Sequence, residues 1–136
     1  MTQIYTHIII ASGPVIVENN TVLLNIHGDT DFWKFCGGKI ENYSITLAEN
    51  AKIKAKEEMG IDIRIIDAKP FILYTKKSTT EKDLDVILVH FLAKRIGDIS
   101  PDKDIKKWRW IPTSDLKNEK LAPNILPTLK HFGFIK

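Results

Sequence analysis

A glycine turn, Gly37-Gly38-Lys39-Ile40-Glu41, followed by a segment that closes on Ala55-Lys56-Glu57-Glu58-Met59-Gly60-Ile61, constrains this chain more than any other feature. A glycine pair lets backbone pass close to a neighbour or a ligand with no Cβ in the way. In a helix each residue advances about 100°, so Lys54, Glu57 and Glu58, at i, i+3 and i+4, project from one side. Two acids there make a hard-oxygen site suited to Mg2+ or Mn2+, which are held by one or two protein carboxylates together with waters and substrate phosphates. Alone, a Glu-Glu pair reads as the solvated end of a lysine-rich amphipathic helix. The glycine turn upstream is what makes it a candidate site.

Local signals fix the ends of this helix. Thr46 and Glu49 fit the Ser/Thr-x-x-Glu capping box, which predicts a start near Leu47, and Gly60 supplies a left-handed stop. Leu47, Ala51, Ala55 and Met59 then form the buried stripe. Glu49 is accordingly read as a cap and not as a displaced catalytic acid.

Together these residues resemble the Nudix box: Gly, five residues, Glu, seven residues, Arg-Glu, an aliphatic, any residue, Glu-Glu, any residue, Gly, an aliphatic. Both ends match and the middle departs. Counted back from Gly60, the Arg-Glu pair falls on Ile53 and Lys54, and the loop glutamate on Ser44 or Ile45. One extra residue lies between Asn42 and Thr46, where lengthening a loop by one costs only about a few tenths of a kcal/mol. The resemblance implies an α+β fold, an α/β/α sandwich with a Nudix-like mixed β-sheet flanked by helices, spanning 1–136 as a single domain. It also implies a pyrophosphohydrolase that cleaves a diphosphate linkage in a nucleoside diphosphate derivative or nucleoside triphosphate. Carried onto this chain, Glu57 and Glu58 become catalytic carboxylates and metal ligands, with the Gly38 carbonyl as a neutral third ligand for Mg2+ or Mn2+. Gly37, Gly38, Lys39, Glu41 and Lys54 become substrate-binding residues. A metal ion there would polarise a phosphoryl oxygen and lower the pKa of an attacking water.

The departures carry physical consequences. Lys54 stands where the family places a metal-binding glutamate, and a protonated ammonium cannot ligate a cation. An i,i+4 pair between Lys54 and Glu58 is the expectation, worth about 0.2–0.5 kcal/mol on an exposed helix. Replacing a negative by a positive charge beside a divalent ion weakens its binding even at an effective dielectric of about 20. Ile53 removes the arginine that would orient the acids. A second reading therefore stands beside the enzyme: a catalytically impaired nucleotide-binding or regulatory domain, in which Lys54 meets a phosphate as a point charge. Acids that could compensate are Glu41, rated first, then Glu81, Asp83, Asp85, Asp98, Asp102 and Asp104; each is by default a turn or surface acid.

Composition agrees with one small enzyme-like unit, since 136 residues with 43% hydrophobic content can bury one core. The net charge of +3 is spread without a basic block, which suits small anionic ligands and does not indicate general nucleic-acid binding. An RNA-binding reading rests only on the aromatics and that modest charge. The single cysteine, Cys36, excludes an intrachain disulfide and is read as a packing residue. No signal peptide or membrane-length apolar run is present, so a cytoplasmic location without membrane association is expected.

Short apolar runs predict strands at Thr6–Ala11, at Val15–Val17 and Thr21–Leu24 around an asparagine turn, then at Ile61–Ile66, Phe71–Thr75, Leu84–Lys94 and Lys107–Ile111. Trp108 to Pro112 reads as an edge strand with one aromatic on each side of its alternation. A closing helix is expected over Leu121–Phe132, with Pro123 tolerated near its start and a kink or break at Pro127. Trp33, Phe71, Tyr74 and Trp108 are each able to stack a base, but core packing is the preferred reading. His7, His27, His90 and His131 show no metal-ligand spacing and are read as structural.

Overall fold

The computed structural model describes residues 7–78 and 83–136. The chain begins with β1 (Ile8–Val15), followed by β2 (Val17–Glu18) and β3 (Thr21–His27). The first strand runs four residues beyond the expected end at Ala11 because it has a long partner. It lies parallel to β7 (Asp83–Ile96), with Ile8 opposite Asp85 and Val15 opposite Leu92. Val15 thus ends β1 and does not open the hairpin; Thr6 lies outside the described residues. The hairpin turn is the expected one. Asn19 and Asn20 have φ of 51° and 60°, the paired positive values of a type I′ turn.

The helix α1 (Leu47–Met59) starts and stops as its caps predict. Thr46 Oγ1 accepts from the amide of Glu49 at 3.1 Å, and Gly60 is left-handed at φ 69°. Ala51, Ala55 and Met59 are fully buried, while Leu47 is only partly so. Next come β4 (Gly38–Lys39), which precedes α1, then β5 (Asp62–Ile65), β6 (Phe71–Ser78), β8 (Ile105–Pro112), a 3₁₀ turn at Thr113–Asn118 and α2 (Ile125–His131). The last helix starts four residues later than expected. Pro127 consequently falls in its first turn, where the amide has no intrahelical acceptor to lose, and neither kinks nor breaks it.

The larger sheet has the order β4-β1-β7-β5, with β6 also paired antiparallel to β7. The smaller runs β2-β3-β8, which makes β8 the expected edge strand. Trp108 and Trp110 are two residues apart and therefore share a face, which corrects the reading of one aromatic on each side. Strand alternation separates two apolar layers. Ile16 and Leu23 join Ala51, Ala55, Met59, Val89 and Phe91 on the α1 side, whereas Val15, Val22 and Leu24 join Trp33, Phe35, Ile125 and Leu129 on the α2 side. Helix, sheet and helix are thus stacked in three layers, a mixed α+β arrangement. Among the described residues no helix is long and apolar enough to cross a membrane.

Candidate functional site

The glycine turn is wedged between β1 and α1. A Cβ on Gly13 would collide with the carbonyl oxygen of Cys36, and one on Gly37 would lie 2.8 Å from the oxygen of Ser12. Two buried polar side chains fasten this junction. Asn50, 3% exposed, donates from Nδ2 to the Gly38 carbonyl at 3.1 Å and to Ser12 Oγ at 2.9 Å. The Ser12 hydroxyl in turn donates to the carbonyl of Leu47 at 2.7 Å. Neither residue figured among the sequence candidates. The signal for Asn50 was its position, three residues after Leu47 and four before Lys54, on the face that looks at the turn.

Glu57 and Glu58 sit side by side but do different things. Glu58 turns inward and is half-buried, both its oxygens facing the Gly37 amide at 3.3 and 3.4 Å. Burial pushes its carboxyl above the ordinary 4.5, opposed by the Gly37 amide and by the charges of Lys34 and Lys54, while Glu57 adds to the rise. Glu57 is exposed and takes the Lys54 ammonium at 3.4 Å. The expected Lys54–Glu58 pair is therefore replaced by an i,i+3 pair. The reason is geometric: the Lys54 stem lies across Gly38, where a Cβ would meet its Cδ at 3.0 Å, and its ammonium projects to the solvent side. Cys36 is buried with Sγ 4.0 Å from Glu58 Oε2 and 3.6 Å from the carbonyl of Lys54. Burial, aided by the charge of Glu58, pushes its thiol well above the usual range, in keeping with a packing role.

The remaining candidates are scattered. Lys39 and Glu41 line a separate surface groove with Ile8 to Ile10 and Tyr43. Asp85 accepts from the Tyr74 hydroxyl at 2.8 Å, Asp102 caps its own turn by accepting from the amide of Asp104, and Asp83 and Asp98 are exposed. Glu81 lies outside the described residues. No group of three or more His, Cys, Asp or Glu side chains able to hold a metal forms among the described residues. The donor set present fits a dication that arrives with a diphosphate and completes its shell from it. It does not make a preformed protein cage. The Gly38 carbonyl, whose residue pairs with Ser12 across β1 and β4, already accepts from Asn50 Nδ2 at 3.1 Å.

Beside the glycine turn opens a cleft of about 200 Å³. Its walls include Gly37 and Gly38, Lys34, Phe32, and His90 with Asn124. His90 is 4% exposed; its Nδ1 lies 3.0 Å from the carbonyl of Phe71 and its Nε2 2.9 Å from Asn124 Nδ2. Its ring meets Phe35 edge-on at 5.6 Å. Burial lowers its pKa below 6.5 against the opposing pull of the Phe71 carbonyl. The structural reading of His90 thus holds, yet it also forms part of a cleft wall. Of the aromatics, Trp33 is core, Phe71 stacks on His131 at 4.4 Å, and Tyr74 and Trp108 are exposed on strands away from the cleft lining.

Comparison with known proteins accords with this geometry. The NUDIX domain model matches residues 9–132. No curated protein matches the sequence. Among solved structures, a Nudix-family hydrolase from Clostridium perfringens superposes with a TM-score of 0.75 at 22% identity, covering 90% of this chain and 93% of that one. A MutT protein from Methanosarcina mazei gives 0.69 at 19% identity with 96% of each chain covered. An ADP-ribose pyrophosphatase from Streptococcus suis gives 0.65 at 17% identity over 90% of this chain and 87% of that one. At these identities the structures establish the fold, and the family model, which spans nearly the whole sequence, establishes membership: the chain belongs to the Nudix family.

Proposed function

We propose that this protein is a divalent-metal-dependent Nudix hydrolase of a diphosphate linkage in a nucleoside diphosphate derivative or nucleoside triphosphate. Relatives of the fold act on related compounds, one of them an ADP-ribose pyrophosphatase and another a UDP-X diphosphatase. The observation that carries the reading is Glu58: a half-buried carboxylate whose pKa is raised, held against the glycine turn that also lines the cleft, with no ion-pair partner within 4.0 Å among the described residues. Bound there, Mg2+ or Mn2+ would supply a Lewis acid for the phosphoryl oxygen and a lower pKa for water. Glu58 and Glu57 are its proposed protein ligands, with Gly38 as a carbonyl donor. Gly37, Gly38, Lys39, Glu41 and Lys54 remain the proposed substrate contacts, and Lys34 joins them because it lines the cleft and its charge reaches Glu58. A nucleoside in the cleft would place its diphosphate at the turn. A cytoplasmic location belongs to the same proposal.

A second reading, a binder that has lost catalysis, is favoured by one contact. The Lys54–Glu57 pair neutralises the exposed acid that a cation needs. One experiment separates the two. Nucleoside tri- and diphosphate derivatives are incubated at high enzyme with manganese, using the wild type, Glu58→Gln and the double variant Ile53→Arg/Lys54→Glu. Turnover by the wild type, lost in Glu58→Gln and raised about 10- to 100-fold in the double variant, supports the hydrolase. A silent wild type with an active double variant assigns the binder. Silence in both, with no manganese-dependent ligand binding, removes the catalytic reading.

A further inference from the structure

His90 is a buried titratable side chain in the cleft wall that the chemistry above does not use. Its surroundings define its hydrogen-bond state. The Phe71 carbonyl, 3.0 Å from Nδ1, can only accept, so Nδ1 carries the proton. The ring is enclosed by Phe35 and Phe71, with centroids 5.6 and 5.8 Å away, and the apolar enclosure disfavours a second proton. Nε2 then offers a lone pair, and a group within 2.9 Å of it must donate. Of the two ends of the Asn124 carboxamide only the NH2 can do so. The backbone of Asn124 is fixed as well, because its carbonyl accepts from buried Thr128 Oγ1 at 2.6 Å and from the Thr128 amide at 3.2 Å at the start of α2. An asparagine facing a ligand can ordinarily flip to present either end; this one is held.

We infer that His90 is a specificity-determining positioning residue: by holding the Asn124 nitrogen it leaves the amide oxygen as the acceptor presented to the cleft, and so selects ligands whose base carries an N–H donor. The inference rests on the reading of the cleft as a nucleoside site. Two further features of the cleft support it. Its lining includes the apolar Phe32, Phe35, Leu88, Val89 and Ala122, the Ser12 hydroxyl and the Cys36 thiol are turned to the carbonyls of Leu47 and Lys54, and the one Lys or Arg among the described lining residues, Lys34, lies toward the glycine turn where a phosphate would be. A base lacking an N–H would leave the Asn124 oxygen unpaired beside apolar carbon, and the cost of such a loss is what gives polar sites their discrimination.

The test is calorimetric binding, with Mg2+, of three non-hydrolysable ligands that differ only in the base: the α,β-methylene diphosphates of adenosine, guanosine and purine riboside. The purine ring of the last has no N–H. The better of the adenine and guanine forms is expected to bind about tenfold more tightly than the purine form, and in His90→Phe that ratio is expected to fall to about one to two. A wild-type ratio near one, or a large ratio unchanged in His90→Phe, overturns the inference and leaves the nucleoside cleft standing. Failure of all three ligands to bind overturns both. Should His90→Phe not fold, Asn124→Leu serves in its place with the same expected collapse of the ratio, and an unchanged ratio overturns the inference. Nitrogen-15 spectra of the wild type give an independent check: the Nδ1-protonated neutral tautomer is required, and an Nε2-protonated ring rules the inference out.

Discussion

At the scale of single residues, the site is set by what each side chain has left after its neighbours are served. Lys54 has given its ammonium to Glu57, Glu58 has turned to the Gly37 amide, and Asn50 has taken a lone pair of Gly38. Sequence spacing pointed Lys54 to Glu58 at i+4; the path of its stem over Gly38 brought it to Glu57 instead. His90 shows the same logic in its titration. Its folded pKa lies below the ordinary 6.5 because burial penalises the charged ring. As pH falls through 6.5 the unfolded chain therefore takes up a proton that the folded one refuses, and stability is lost toward the folded pKa; above 6.5 there is no such penalty. His90→Phe should flatten the decline of the thermal midpoint between pH 7 and 5 relative to the wild type. Parallel curves for the two proteins would show that His90 is not held neutral.

At the scale of elements, α1 was legible because its information is local. Thr46 and Gly60 act on backbone groups within four residues, so the ends follow from sequence alone, although the Glu49 carboxylate does not close the capping box. What the helix carries was less legible. Asn50 sits in the buried interface with β1 and the glycine turn, and its value depends on Ser12 and Gly38, which are 38 and 12 residues away. Asn50→Ala should cost about 1–3 kcal/mol in urea denaturation, because it leaves the Ser12–Gly38 junction without its donor. Thr46→Ala, which removes one exposed cap, should cost about 1 kcal/mol. A loss for Asn50→Ala no larger than that for Thr46→Ala would mean the junction holds without the carboxamide. The final helix taught the complementary point. Pro127 looked disruptive because the sequence did not show that the helix would begin only at Ile125.

At the scale of the whole molecule, two apolar layers meet where β1 crosses the glycine turn, and this crossing positions the cleft and the acids together. It depends on a pair of glycines from separate segments. Gly13→Ala drives a methyl into the Cys36 carbonyl, backbone that cannot step aside without parting β1 from the turn. A loss above about 3 kcal/mol, or failure to fold, is expected. Gly28→Ala is the control: space there is open, and only its φ of +56° resists, so about 1–2 kcal/mol is expected. Comparable losses for the two, by thermal or urea melting, would deny the crossing its special role. The strand pattern, the asparagine hairpin, the box helix and its two acids were all written in runs of adjacent residues, since periodicity and capping act over a few positions. Sequence by itself therefore determined the layered α+β architecture and the two carboxylates that mark the family. Which carboxylate turns inward, what Lys54 pairs with, and the joining of His90 on β7 to Asn124 before α2 were decided only by the tertiary structure. Those outcomes depend on contacts between segments tens of residues apart, and distance in space is not a property that local spacing can encode.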